Sequence, residues 1–212
     1  MATATSSTLA LDLSVDRPQF FRASRSPQMV DLGEAAYLAV EGHGSPEASL
    51  APAMSAIYTV AYGLKFRLKR FGHDFRVCPA EAQWWSVDES GHESPERPPN
   101  AVDWHWRLLL MVPDFVTPDD VETIKASART THPEVRRVSL VRFTEGLAVQ
   151  MLHIGPYDAE EPTIAAMLAF MAGRHLETAG RHHEVYLGDP RRAKPEKLRT
   201  LLRQPVRAKS PV

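Results

Sequence analysis

The sequence has one cysteine, no long apolar run and no surplus of positive charge. Cys78 alone cannot form an internal disulfide, which excludes a disulfide-stapled secreted fold. No stretch approaches the roughly 18 apolar residues of a membrane span, and the N-terminus lacks the charged and apolar regions of a signal peptide. The net charge of -1 offers no basic surplus to neutralise phosphates. We therefore expect a cytoplasmic protein that binds neither nucleic acid nor a membrane.

Several catalytic signatures are also missing. The sequence contains no Gly-rich phosphate loop, nucleophile elbow, helix-turn-helix or zinc-protease helix pattern. His182, His183 and Glu184 are consecutive, but successive strand residues point to opposite faces, and no third ligand is spaced to close a metal site. Cys78 has no local histidine motif, which favours a structural thiol. We predict neither a metal nor another cofactor.

The 212 residues, 43% of them hydrophobic, suffice for one sizeable core or two small fused modules. Residues 1–30 are polar and weakly patterned, so we expect a partly mobile N-terminal arm. Residues 31–206 carry helix and strand periodicities and are expected to form the domain.

The domain divides into two similar halves, about 31–135 and 136–206. Each half follows the order strand, Gly-rich turn, long helix, strand, strand, with helices predicted near 47–70 and 160–178. Two such modules side by side predict an α+β fold, an antiparallel sheet with both long helices on one face. Glu81 and Glu184 then occupy equivalent places, and the cleft between the modules is a natural ligand site.

The most informative stretch is the strand that contains Glu184. Val185 and Leu187 alternate with Glu184 and Tyr186, so the carboxylate and the phenol share a face. A carboxylate in mid-strand is costly to bury without a partner, and a solvated outer face is the simple alternative.

The first half of the domain contains two groups of aromatic residues. Tyr58, Tyr62 and Phe66 recur at four-residue steps on the first long helix, beside its apolar stripe. Trp84 and Trp85 are adjacent and must point to opposite faces of their strand. These rings either pack in the core or stack against a flat ligand.

Several stretches, taken in this order, resemble the GyrI-like small-molecule-binding family. They cover the chain from about residue 30 to 206 and comprise 61–66, 79–85, 104–106, 112–116, 150–157 and 182–192. The resemblance implies the duplicated fold reached above. Relatives serve as effector-binding domains of transcription regulators, in which a buried glutamate in an aromatic pocket recognises cationic or polar drugs. Glu184 matches that glutamate by its strand and its Tyr186 neighbour.

A subfamily with similar double-Trp and His-His-Glu stretches is associated with hydrolysis of cyclopropane-bearing DNA-alkylating agents. The resemblance implies xenobiotic detoxification by a hydrolase in which Glu184 assists water addition inside an aromatic cage. The small aromatic ligand would contact Tyr58, Tyr62, Phe66, Trp84, Trp85, Trp104, Trp106, His153, Tyr157 and Tyr186.

Two other functions stay open at the level of sequence. One is a non-catalytic module that binds and sequesters drugs, and the weaker one is a protein inhibitor of a topoisomerase. The chain departs from relatives in a Pro-rich loop after Trp85 and in Glu81-Ala82-Gln83, where relatives often carry Glu-Gly-Leu. Those departures concern substrate range more than fold, and the sequence gives no expectation for the oligomeric state.

Overall fold

The computed structural model describes residues 10–88, 90–94 and 104–210, without the side chains of residues 46–49. Most of the Pro-rich loop predicted after Trp85, namely residue 89 and residues 95–103, lies outside the described residues.

The described part of the chain contains both helices and strands. The α-helices are α1 (Leu13–Asp16), α2 (Pro18–Phe21), α3 (Pro46–Lys69), α4 (Pro118–Ala128) and α5 (Glu161–Ala172). The strands are β1 (Gln28–His43), β2 (Ala80–Val87), β3 (Glu93–Ser94), β4 (His105–Val112), β5 (Ser139–Ile154), β6 (Leu176–Thr178), β7 (His182–Tyr186) and β8 (Arg199–Ala208). Among these ranges, no helix is both long and apolar enough to cross a membrane.

Six strands form a closed antiparallel ring in the order β2–β4–β1–β5–β8–β7, and β7 pairs again with β2. The order β2–β4–β1 in the first half is repeated as β7–β8–β5 in the second. This confirms the predicted α+β fold built from duplicated strand-helix-strand-strand modules. The sequence did not predict the closure into a barrel. The exact boundary between the halves stays a prediction.

Both long helices pack on the outer surface of the barrel. Pro52 of α3 lies over Trp106, which is directly opposite Trp84 on the neighbouring strand. Met167 of α5 packs against Leu202, which is directly opposite Glu184. Trp84 is directly opposite His182, which shares the face of Glu184 two residues later. Since directly opposite residues share a face of the sheet, the two helices lie on the same face, as predicted.

The second long helix is shorter than the sequence predicted. It ends at Ala172 instead of residue 178, with Gly173 as its C-cap. His175 adopts a positive φ of 54°, which a right-handed helix does not tolerate. The chain then forms β6, which pairs with β8.

The inside of the barrel holds a cluster of ionisable side chains. His183 Nδ1 lies 2.7 Å from Glu145 Oε2, and His183 Nε2 lies 3.0 Å from Glu81 Oε2. The Arg203 guanidinium is 3.9 Å from the same oxygen of Glu145. Burial opposes protonation of His183, but the carboxylates of Glu145 and Glu81 outweigh it and raise its pKa to about 9. The imidazole is therefore held as a cation at neutral pH.

The segment before β1 covers one end of this interior. The Arg203 guanidinium donates to the Phe20 carbonyl at 2.9 Å, and the Gln150 amide donates to the carbonyls of Gln19 and Arg22 at 3.2 and 3.0 Å. Phe20 itself is buried. The C-terminal end of α2 thus supplies acceptors for buried donors of β5 and β8, which matters because an unsatisfied buried donor costs about 1–3 kcal/mol.

Glu81 and Glu184 are not equivalent in the structure. Glu81 points into the barrel, whereas Ala82 is directly opposite Glu184 and faces outward. The two glutamates therefore point to opposite faces of the sheet, so the predicted correspondence was wrong.

We predict that stability falls as pH rises from 6 to 9. The pKa of His183 is raised from about 6.5 in the unfolded chain, so its contribution is complete below pH 6.5 and is lost as pH approaches 9. The loss should be on the order of 1–3 kcal/mol, measured by urea unfolding across this range.

Two measurements control that prediction. His183→Gln should flatten the pH dependence. If this variant does not fold, ¹⁵N NMR of the wild-type chain should still show an imidazolium at position 183 at pH 8. A neutral His183 at pH 8 would contradict the prediction.

Candidate functional site

Glu184 and Tyr186 lie together on the outer surface of β7, as the alternation predicted. The Tyr186 hydroxyl donates a hydrogen bond of 2.9 Å to Glu184 Oε2. His182, two residues earlier on the same face, places Nε2 3.6 Å from Glu184 Oε1. The carboxylate therefore accepts a hydrogen bond from Tyr186 on one oxygen and lies near the His182 imidazole on the other.

Several aromatic rings lie near this pair. Tyr157, in the turn before α5, makes an edge-to-face contact with Tyr186 at a centroid distance of 5.7 Å. Trp84 meets Trp104 edge to face at 5.4 Å. The Trp84 side chain lies near the Tyr186 hydroxyl, but its indole N–H is outside hydrogen-bond geometry. Rings from both halves of the chain thus meet beside Glu184.

Tyr58 of α3 lies near the turn that follows β7. It is partly buried beside the Ala80 backbone, and its phenol lies within the electrostatic reach of Asp189 and Arg191. These two residues belong to the turn after β7, where the Arg191 guanidinium bonds both carboxylate oxygens of Asp189 at 3.0 Å. The turn that ends β7 and the helix α3 therefore approach each other at the edge of the site.

The phenols of the site keep their protons at neutral pH. Burial first, and then the charge of Glu184, raises the pKa of Tyr186 well above its usual value. Burial, followed by the charges of Glu184 and Glu160, raises the pKa of Tyr157. Burial also raises the pKa of Tyr58. These hydroxyls are hydrogen-bond donors, not bases.

Two of the predicted helix aromatics lie away from the carboxylate. Tyr62 and Phe66 continue the stripe that begins at Tyr58, with successive ring centroids 6.3 and 6.2 Å apart. They are 47% and 62% exposed and lead outward along α3. Their role in ligand contact stays a prediction.

The paired tryptophans separate as the strand alternation requires. Trp85 lies on the face opposite to Trp84, stacked on His105 at 5.8 Å and under the Arg181 guanidinium at 3.5 Å. Trp85 therefore lies on the other side of the strand from Glu184.

Trp106 shares the face of Trp84 but is covered by other parts of the chain. A Cβ on Gly42 would lie 2.2 Å from a ring atom of Trp106, so this position needs glycine for close approach. The ring borders a surface cavity of about 550 Å³, which Pro52 and Arg137 also line and which does not include Glu184.

His153 serves the site indirectly. It is buried, with Nδ1 3.0 Å from Thr163 Oγ1 and Nε2 3.2 Å from the Pro156 carbonyl. These contacts join β5 to the first turn of α5 and fix the turn that carries Tyr157. The structure thus places His153 behind the Tyr157 turn.

Three further residues lie at the site, and the sequence analysis did not predict any of them as a ligand contact. His182 was considered only as a metal ligand. Glu160 caps α5, is 2% exposed and acts electrostatically on both Tyr157 and Tyr186. Thr200 is directly opposite Tyr186, and its buried hydroxyl has no hydrogen-bond partner among the described residues. The alternation of β8 could have indicated Thr200, but Glu160 resembles an ordinary acidic helix start.

The cleft is closed by its own side chains in this conformation. Trp84 and Glu184 are 4% and 5% exposed. Tyr157 is an exposed residue at the rim, and Tyr58 is partly buried. A ligand that reaches Glu184 must therefore displace the rim before it contacts the carboxylate.

Comparison with known proteins identifies the family of the C-terminal half. Residues 111–207 match the GyrI-like small molecule binding domain, a range that includes Glu184, Tyr186 and Tyr157. No curated protein sequence matches the chain.

Solved structures extend the similarity to nearly the whole chain. An uncharacterized conserved protein from Listeria innocua is 36% identical with a TM-score of 0.84, covering 93% of this chain and 100% of its own. Two structures of a hydrolase from Listeria innocua are each 34% identical with the same coverage, at TM-scores of 0.80 and 0.82. The EcmrR C-terminal domain shares the fold at 12% identity and a TM-score of 0.56, covering 86% of this chain and 98% of its own.

Identity above 30% over almost the full length, together with the domain match, shows the family of this chain. The chain belongs to the GyrI-like small-molecule-binding family.

Proposed function

We propose that this protein hydrolyses electrophilic, cyclopropane-bearing aromatic xenobiotics of the DNA-alkylating type, with Glu184 as the general base. The observation that carries the proposal is the buried Glu184 carboxylate, oriented by the Tyr186 hydroxyl and bordered by aromatic rings. Hydrolases with 34% identity over 93% of the chain add support.

In the proposed reaction, water adds to a carbon of the strained ring. One carbon–carbon bond of the cyclopropane breaks, and its electron pair moves into the conjugated carbonyl, whose oxygen takes up a proton. Glu184 accepts a proton from the attacking water, while Tyr186 keeps its hydrogen bond to Oε2. The donor on Oε2 holds the carboxylate in one orientation, which a general base needs to position water.

Tyr157 is the proposed donor to the substrate carbonyl. It lies at the exposed rim and contacts Tyr186, and its raised pKa keeps the phenol protonated. A phenol beside the carbonyl stabilises the negative charge that develops on oxygen as the ring opens. The Thr200 hydroxyl, which has no partner among the described residues, is a second polar group available to a ligand.

Trp84, Trp104 and Tyr58 supply the stacking surface in this proposal. Offset or edge-to-face contacts with a flat polycyclic ligand contribute beyond simple burial. Tyr62 and Phe66 extend that surface along α3 for a longer ligand, since the Tyr58–Tyr62–Phe66 rings form a continuous row.

Binding without turnover is the second candidate. The family match to a small molecule binding domain favours it directly, because such a domain needs only the aromatic rings and the carboxylate. The mass of the product after incubation with an activated cyclopropane separates the two functions. A gain of one water means hydrolysis, and an unchanged ligand means sequestration.

Glu184→Gln should leave ligand binding intact and lower turnover by roughly 10²–10⁴-fold, because the amide keeps the shape and cannot accept the proton. Single-turnover hydrolysis of the activated cyclopropane measures the effect. Glu161→Gln is the matched control, since Glu161 is an exposed carboxylate next to the buried Glu160 and should keep full activity. Full activity in Glu184→Gln would remove this residue from the mechanism.

Tryptophans on the cleft face of the sheet should respond to ligand, and Trp85 on the other face should not. In a Glu184→Gln background, which removes turnover, titration with the intact cyclopropane should change tryptophan fluorescence. Trp84→Phe should remove most of that change, and Trp104→Ala should weaken binding by about 0.5–1.5 kcal/mol beyond the lost burial.

Trp85→Phe is the control for that titration, because Trp85 neighbours Trp84 in sequence but lies on the opposite face. It should retain the response. A response that disappears with Trp85 and persists without Trp84 would contradict the proposed cleft.

A further inference from the structure

A separate cavity of about 380 Å³ lies between the segment before β1, the residues leading into β2 and the ends of β7 and β8. Its volume falls in the range typical of small-molecule sites, about 300–1,000 Å³. The lining includes neither Glu184 nor any ring of the aromatic cleft.

Positive charge dominates the polar part of this cavity. Arg22, Arg76 and Arg199 line it, with Asp12 as its acidic residue. Asp12 is already paired with Arg76 at 3.2 Å. Within residues 10–88, 90–94 and 104–210, the side chains of Arg22 and Arg199 make no hydrogen bond or ion pair. Two guanidinium groups are therefore available to a ligand.

The rest of the wall is largely apolar. Phe21, Val77 and Leu187 contribute side chains, and the buried Cys78 lies among them. A ligand that fits both parts needs a negatively charged head group and a short apolar tail. Guanidinium groups recognise a carboxylate through paired N–H donors, which suits the two free arginines.

We propose that this cavity is a second binding site, for small carboxylates that carry an apolar tail. It lies across the barrel wall from the Glu184 cleft. Tyr186 and Thr200 form a directly opposite pair on the cleft side, and the residues next to them, Leu187 and Arg199, line this cavity. The two sites carry opposite charge, with Glu184 and Glu160 in the cleft and arginines here. This site does not depend on the proposed hydrolysis.

Isothermal titration of the full chain with octanoate tests the charge requirement. Octanoate should bind at least tenfold more tightly than octanamide, which has the same tail without the charge, and than acetate, which has the charge without the tail. The double variant Arg22→Gln/Arg199→Gln should weaken octanoate binding at least tenfold. Equal binding of octanoate and octanamide, or unchanged binding in the double variant, would overturn the proposal.

Two controls locate the binding. Arg129→Gln removes an exposed arginine that does not line the cavity and should leave octanoate binding unchanged. Glu184→Gln should also leave it unchanged. Tighter octanoate binding in Glu184→Gln would instead place the ligand in the aromatic cleft and would refute the separate site.

Discussion

The two-residue period of β7 connects the interior of the barrel with the cleft outside it. His183 points inward to Glu81 and Glu145, while His182, Glu184 and Tyr186 point outward to the aromatic rings. β7 also closes the ring by pairing with both β2 and β8. A one-residue shift of this strand would bury Glu184 among the interior acids and expose the His183 cation, so its register fixes both sites together.

The interior cluster is what holds that register. Replacing one partner of a buried ion pair leaves an uncompensated charge, which costs about 3–5 kcal/mol, although the pair itself adds little net stability. The cluster joins β2, β5, β7 and β8 through Glu81, Glu145, His183 and Arg203. Any alternative pairing of these strands would separate at least one charge from its partner. The cluster therefore acts mainly on specificity of assembly, and the cleft outside benefits from the same constraint.

Local periodicity predicted much of the fold and part of the site. It gave the helix α3 nearly to its ends, the shared face of Glu184 and Tyr186, and the opposite faces of Trp84 and Trp85. It did not predict that the barrel closes. β2 and β7 are about a hundred residues apart, and their pairing produces no pattern in the local sequence.

Local periodicity also could not predict contacts that are made by backbone atoms or by single side chains. The carbonyls of α2 that accept from Arg203 and Gln150 belong to the backbone, which side-chain patterns do not report. Glu160 resembles any acidic residue before a helix, and only the tertiary fold buries it against Tyr157 and Tyr186. The duplicated pattern was correct at the level of elements but misaligned Glu81 with Glu184, because element order does not specify which residue of a strand faces outward.

The barrel repeats its strand order in the two halves, but the cleft does not repeat its chemistry. Opposite Glu184, the first half presents Ala82, which has neither charge nor bulk. The next outward residue of β2 is Trp84, which meets Trp104 from the same half. The second half thus supplies the carboxylate and the phenols of Tyr157 and Tyr186, and the first half supplies the tryptophans and the phenol of Tyr58. A ligand between them has a polar and a stacking side, so it can be held in one orientation relative to Glu184, which addition of water to a single ring carbon requires.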